Sequence, residues 1–329
     1  MKTVVIIGGG TATFTLLQGL RQFPTNNIVI VSTADDGGST GTLRKDLGIM
    51  PYGDIRQCLI GLSYTVPALQ NLFLYRFDRG SLKGHNVGNI LLAALQKITG
   101  TPEGAIAEAA RLLNVRGEVL FVSKQPTTLS ARLSDGTMLR SEHDIDEPVA
   151  KKRAPIEKLM LTKAEANPRT LDAIGRADAI VLGPGDLYTS TFPNLLLPGI
   201  AGAIRNSHAK KVFITNLMTK LGQTDGFRAS DFVRETNAYL GAASGQTVID
   251  TVIVNTKKPR PGILARYQKE HAKFVEPDVE HIKKLGMEVI AKPVISNHIH
   301  KKAKGDVLQR SLIRHDAEKT AEIIWNLIK

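Results

Sequence analysis

Residues 4–13 read Val-Val-Ile-Ile-Gly-Gly-Gly-Thr-Ala-Thr. Four consecutive β-branched residues closed at once by three glycines indicate a short strand covered on both faces, which is the habit of parallel sheets. Bare backbone at Gly8, Gly9 and Gly10 lets a ligand come close. The amides opening the following helix, expected from about Thr13 to Arg21, would point at an anion. The pattern then repeats: Ile28-Val29-Ile30-Val31-Ser32-Thr33-Ala34 runs into Asp35-Asp36-Gly37-Gly38-Ser39-Thr40-Gly41. Two apolar strands, each ending in a loop of glycine, hydroxyl and carboxylate, predict a phosphate-binding edge. Gly8 and Gly10 fit the dinucleotide fingerprint, but Thr13 stands where its third glycine belongs. An acid at the end of the second strand, Asp35 or Asp36, is the remaining element of that fingerprint. A nicotinamide enzyme is therefore one alternative, and plain strand-to-helix turns are another.

Outward from this stretch, strands alternate with helices. Ala179-Ile180-Val181-Leu182 leads into Gly183-Pro184-Gly185-Asp186, Lys211–Thr215 leads into Asn216, and Thr251–Asn255 and Met287–Ala291 follow. That rhythm predicts an α/β fold, a doubly wound and mainly parallel Rossmann-like sheet whose ligand crevice lies beyond the carboxyl ends of its strands. Residues 117–162 break the rhythm. Gly117–Val122, Leu129–Leu133 and Ile156–Thr162 look like strands, with an Asp135-Gly136 hairpin turn, and are expected as a small antiparallel insertion serving as lid or dimer surface. One domain over 1–329 is expected, with a C-terminal segment from about 256 completing the site. Gly53-Asp54 looks like a turn with Asp54 as helix cap, and Asn86 is expected to cap the helix that contains Asn89.

The 329 residues are 42% apolar and 22% charged, a globular balance. No apolar run reaches the 18 or so residues of a membrane span, and no secretion-type leader opens the sequence. A single cysteine, Cys58, excludes a disulfide framework and suits a reducing cytoplasm, where it is expected as a core thiol. The net charge of +12 is spread out. Its short basic runs, Lys151–Arg153, Lys257–Arg260 and Lys301–Lys304, lack interleaved aromatics, so a solvated surface and attraction of small anions are expected before nucleic acid. His298 and His300 have the spacing of a metal-binding strand but no neighbouring carboxylate, and are expected at the surface.

The glycine loops, with Gly53-Asp54-Ile55-Arg56, Gly84–Asn89, Gly183–Ser190, Pro193–Ile200 and Thr215–Thr219, resemble the gluconeogenesis factor proteins of the CofD-like family, to which 2-phospho-L-lactate transferase also belongs. The resemblance spans nearly the whole chain. Ala12 replaces the family's usual glycine after Gly-Gly-Gly-Thr, and Ala317 stands where a phosphorylatable threonine often follows Arg-His-Asp. The likeness implies a cytoplasmic protein that binds a UDP-sugar such as UDP-N-acetylglucosamine and supports growth, cell shape and cell-wall synthesis on gluconeogenic carbon; a homodimer is expected, with the insertion and the C-terminal segment as candidate surfaces. The likeness carries over ligand contacts at Thr11, Asn194, Tyr267 and Arg314. The loops add Gly9, Gly10, Asp36, Gly38, Ser39, Asn89, Gly183, Gly185 and Asn216 as candidates. No acid–base or nucleophile constellation is evident, which favours a sensor over an enzyme. The alternative is a phospholactate-type transferase with a nucleotide diphosphate donor, in which Asp36 and Asp54 would hold Mg²⁺ or the acceptor hydroxyl.

Overall fold

The Val4–Ile7 run lies in the middle of the main sheet. The structure, a computed structural model, describes residues 1–148, 153–300 and 311–329. Of the basic runs named above, residues 151–152 and 301–304 lie outside the described residues. The described residues contain ten strands: β1 Lys2–Ile7, β2 Thr25–Val31, β3 Glu118–Phe121, β4 Leu129–Leu133, β5 Met138–Leu139, β6 Ile156–Leu161, β7 Ala179–Leu182, β8 Lys210–Ile214, β9 Thr251–Asn255 and β10 Glu288–Lys292. Seven of them form one sheet in the order β10-β9-β8-β7-β1-β2-β3, and β5-β4-β6 form a second, small one. Every pairing in the large sheet is parallel. The small sheet is antiparallel. From β1 the chain builds outward to β2 and β3, then returns to place β7 on the other side of β1. The junction of β1 and β7 is therefore the switch point at which a doubly wound sheet opens a crevice.

Alternate residues of each central strand feed two cores. Val5, Ile7, Ile28, Ile30, Ile180 and Leu182 pack on one face, and Val4, Ile6, Val29, Val31 and Val181 on the other. Burial on both sides is why these strands are apolar throughout instead of alternating with polar residues. On the second face the helix Gly10–Leu20 lies against the last helix, Ala317–Ile328. A side chain on Gly19 would sit 2.0 Å from the Ala317 carbonyl oxygen, so close helix packing explains a glycine at a position where its helix propensity is poor. Cys58 is buried in the same core.

Three local expectations need correction. Residues 118–121 were expected in the antiparallel insertion, but β3 pairs in parallel with β2 and forms an edge of the main sheet. Edge membership depends on long-range pairing and leaves no mark on a four-residue strand. Asp54 does not cap its helix, because the helix Tyr52–Gly61 begins after Pro51 and puts Asp54 in its first turn. The first helix starts at Gly10 instead of Thr13, so its leading amides belong to the glycine loop itself. The Asn86 cap is present and accepts from the Asn89 amide at 3.2 Å. The hairpin at Asp135-Gly136 is also present, with Gly136 at φ +88°.

Candidate functional site

Ile7 and Leu182 are partners in the β1–β7 register, so the glycine loops that follow them leave the sheet side by side. The Gly183 amide donates to the Ile7 carbonyl at 3.2 Å, and the Gly8 amide to the Ile30 carbonyl at 3.1 Å. Above this floor opens a cleft of about 560 Å³, a size that suits a small-molecule ligand. Gly9, Gly10, Thr11, Gly185, Asn216 and Ser39 line it. The helix Gly10–Leu20 has no side-chain cap, so its first amides are directed at the cleft without a local acceptor.

Glycine at two positions lets the motifs meet. A side chain on Gly9 would lie 1.9 Å from Asp54 Oδ2, and one on Gly53 would lie 2.8 Å from Asp35 Oδ2. Asp54 thus sits directly over the first glycine loop, and Asp35 close beside Gly53. Both carboxylates line the cleft. Asp35 also accepts from the Gly37 amide at 3.0 Å, which fixes the turn after β2. Among the described residues no three His, Cys, Asp or Glu side chains gather to hold a metal. Asp35 and Asp54 nevertheless fit the usual way Mg²⁺ is bound, through one or two carboxylates together with substrate phosphates.

The opposite wall is supplied by the insertion. Its helix Glu142–Asp146 is too short to show a periodicity, yet it places Glu142 and Asp146 one turn apart on the cleft. Lys220 Nζ bridges Asp146 and Asp186, at 2.6 Å from Asp186. Burial opposes the Lys220 charge, and the two carboxylates more than offset it, so its pKa is raised. Burial raises the Asp35 carboxyl to about 6. Burial, followed by the Asp35 charge, holds Glu142 well above the usual carboxylate range. Asp146 and Asp186 thus share one lysine as carboxylates, and burial pushes the neighbouring Asp35 and Glu142 towards their protonated forms.

The C-terminal segment closes a third side. Tyr267 is buried, and its hydroxyl accepts from the amides of Leu312 and Ile313 at 2.9 and 3.2 Å. That anchors the segment carrying Arg314, which also lines the cleft. His315 is buried beside it, its Nε2 donating to the Thr215 carbonyl at 3.1 Å. Burial drives the His315 pKa down to about 4, so the native state holds the ring neutral while the unfolded chain charges it below about 6.5. Stability is therefore expected to fall as the pH drops from 6.5 towards 4, by about 2 kcal/mol at pH 5. Urea titrations at pH 7.5 and pH 5 check this, since His315→Gln should remove that part of the acid sensitivity.

Of the expected site residues, Gly9, Gly10, Thr11, Ser39, Asp54, Asn89, Gly185, Asn216, Tyr267 and Arg314 all line the one cleft. Asn89 does so while accepting from the buried Arg56 Nε at 2.8 Å. Four others lie just behind the lining. Asp36 turns its carboxylate to the His143 amide at 2.9 Å, leaving Asp35 to face the cleft. Gly38 opens the helix Gly38–Leu47 at φ +47°. Gly183 has φ +79° beneath the third loop. Asn194 is fully buried and donates to the carbonyls of Ser190 and Thr191. Sequence reading passed over Glu142, Asp146, Arg56 and Lys220. Only Arg56 and Asp186, which pairs with Lys220, fell within a quoted motif. His298 and His300 pack edge to face with ring centroids 4.8 Å apart. No described helix is long and apolar enough to cross a membrane.

Comparison with known proteins gives this geometry a context. Residues 4–295 match the family model of 2-phospho-L-lactate transferase CofD. The chain is 41% identical over 326 residues to the gluconeogenesis factor of Halalkalibacterium halodurans, covering 98% of this chain and 95% of that one. It is 40% identical over 329 residues to the gluconeogenesis factor of Bacillus subtilis, covering 99% and 98%. A crystal structure of a UPF0052 family member from Bacillus halodurans superposes with a TM-score of 0.89 at 39% identity, over 98% of both chains.

Proposed function

The chain belongs to the CofD family, and from that premise we propose that its cleft binds a nucleoside diphosphate joined to a sugar, of the UDP-N-acetylglucosamine kind, as a gluconeogenesis factor acting by binding instead of turnover. The observation that carries this reading is the level meeting of the Gly8–Thr11 and Gly183–Asp186 loops at the β1–β7 junction, with a helix start aimed between them. Amides at a helix start and the Thr11 hydroxyl suit the diphosphate, and Arg314 supplies a cation that can pair with it in two places. The relatives' shared name, gluconeogenesis factor, supports the physiological part of the proposal. Ser39, at the cleft, lies 3.3 Å from His85 Nδ1, and its hydroxyl accepts from the Asn86 amide. Isothermal titration tests the reading. UDP-N-acetylglucosamine should bind, and Thr11→Val should weaken it about tenfold, the value of one hydrogen bond to a charged group. Unchanged affinity in Thr11→Val would count against a diphosphate on this loop.

The placement of Asp35 and Asp54 beside the first loop favours a second reading, a phospholactate-type transferase whose Mg²⁺ those carboxylates would hold. In such transfers the protein mainly positions reactants and neutralises charge. When bound, the ion would supply that neutralisation. Here the chain's own part would be to orient the diphosphate on the Gly9 and Gly10 amides and to keep Arg56 and Arg314 at the cleft wall. Release of a nucleoside monophosphate from a diphospho-lactate donor, lost in Asp54→Asn, would favour this reading over the sensor.

A further inference from the structure

One wall of the cleft is apolar. Leu217, Met218, Tyr267, Ala272 and Ile313 line it, and all five belong to one hydrophobic cluster. Such a wall suits the planar face of a nucleobase. His271 stands beside Ala272, lines the cleft and is exposed. Its backbone lies in the left-handed region at φ +57°, where a side chain is strained and glycine or asparagine is the usual occupant. The bend closes the helix Pro261–Lys269, with the Ala272 amide donating to the Tyr267 carbonyl at 3.0 Å. The same bend follows two other helices. After Ala229–Tyr239 it is made at Gly241, with φ +71° and the Ala242 amide 3.0 Å from the Asn237 carbonyl oxygen. After Pro102–Leu112 it is made at Asn114, with φ +47° and the Val115 amide 2.9 Å from the Ala110 carbonyl oxygen. Neither of those positions lines the cleft.

The fold requires the bend at 271. It returns the chain so that the Thr219 amide donates to the Lys273 carbonyl at 2.7 Å and the Val275 amide to the Leu217 carbonyl at 3.1 Å. The fold does not require the imidazole: glycine would make the turn with less strain, and among the described residues no hydrogen bond or ion pair engages the ring. Resting on the nucleotide-sugar reading, we propose that His271 is a positioning residue for the nucleobase, its imidazole stacking on the base at the apolar wall. The backbone strain is retained for what the ring does in the bound state. The C-terminal segment thus holds the base end of the ligand, and the loops of the parallel sheet hold the diphosphate.

Isothermal titration of UDP into the full chain, with thermal midpoints of the ligand-free protein, makes the test. His271→Gly is expected to bind UDP about tenfold more weakly, the loss of one stacking partner. Its midpoint should hold, or rise by up to about 2 °C as the strain is relieved. A loss of affinity without a loss of stability cannot come from misfolding. His271→Phe keeps a flat ring without hydrogen bond or charge, and should bind UDP within about threefold of wild type. Three outcomes would overturn the proposal: UDP affinity within about threefold of wild type in His271→Gly, a midpoint there more than about 2 °C below wild type, or His271→Phe binding as weakly as His271→Gly, which would give the imidazole a polar role instead. In each of those cases the wild type still binds UDP and the nucleotide reading stands. Failure of UDP and UDP-N-acetylglucosamine alike to bind the wild type would overturn that reading and this proposal with it.

Discussion

Arg314→Glu is expected to reduce the affinity for UDP-N-acetylglucosamine by about 100-fold or more while the protein remains folded. Three features set the size of the effect. Arg314 lines the cleft on a segment whose backbone is held at Leu312 and Ile313 by the Tyr267 hydroxyl, so its position is imposed by the fold. A guanidinium can pair with a diphosphate through two parallel bonds, and these are stronger than bonds between neutral groups. Substitution by glutamate removes that pairing and places a negative charge against the diphosphate. Isothermal titration measures the loss, and the thermal midpoint shows whether the fold is kept. Affinity within about threefold of wild type would remove Arg314 from the ligand's surroundings.

Lys220→Met is expected to cost about 2 kcal/mol of folding stability at pH 7.5. The substitution keeps a side chain of similar length but leaves Asp146 and Asp186 without their shared cation, next to Asp35 and Glu142. Breaking a buried ion pair from one side costs more than the pair itself contributes, because a desolvated charge is left behind. Side-chain exposures of 29% for Lys220, 27% for Asp146 and 38% for Asp186 place this site at the lower end of that range. Asp146 has its pKa lowered: burial opposes this, and Lys220 outweighs burial. Its ionised form therefore contributes stability above the unfolded carboxylate pKa, and the contribution is lost as the pH falls through the lower native value. In Lys220→Met the buried acids, left without their cation, can shed their charge by protonation as the pH falls towards 4, so the deficit should shrink on acidification, and Lys220→Arg should recover most of it. Urea midpoints at pH 7.5 and pH 4 provide the check. A loss below about 0.5 kcal/mol at neutral pH would mean that the bridge does not hold the insertion to the sheet.

The two predictions rest on parts of the molecule that differed in how far the sequence revealed them. The central strands were legible because β-branched runs cut off by glycines have few other readings, and the sheet edge followed from the polar residues at their ends. The contact between the first and third motifs was not legible. Glycine at 9 and at 53 signals a close approach, but nothing local says that the approaching groups are Asp54 and Asp35. The choice between Asp35 and Asp36 was equally hidden, since it turns on the bond from Asp35 to the Gly37 amide and the pull of the His143 amide on Asp36. Glu142 and Asp146 stand on a five-residue helix, too short for periodicity to register, and reach the cleft through tertiary packing alone. Tyr267 was expected, by resemblance, as a ligand contact. In the fold it lines the cleft and its hydroxyl also secures the segment carrying Arg314, so its contribution to binding is expected to pass partly through Arg314.

The central claim is that one shared cavity at the β1–β7 junction holds a diphosphate. A crystal structure of the protein soaked with UDP-N-acetylglucosamine tests it most directly. Diphosphate density is expected within hydrogen-bonding distance of the Gly10 and Thr11 amides, facing the Gly183–Asp186 loop. Density for the nucleotide elsewhere on the molecule, or a sugar-phosphate end pointing away from both glycine loops, would contradict it.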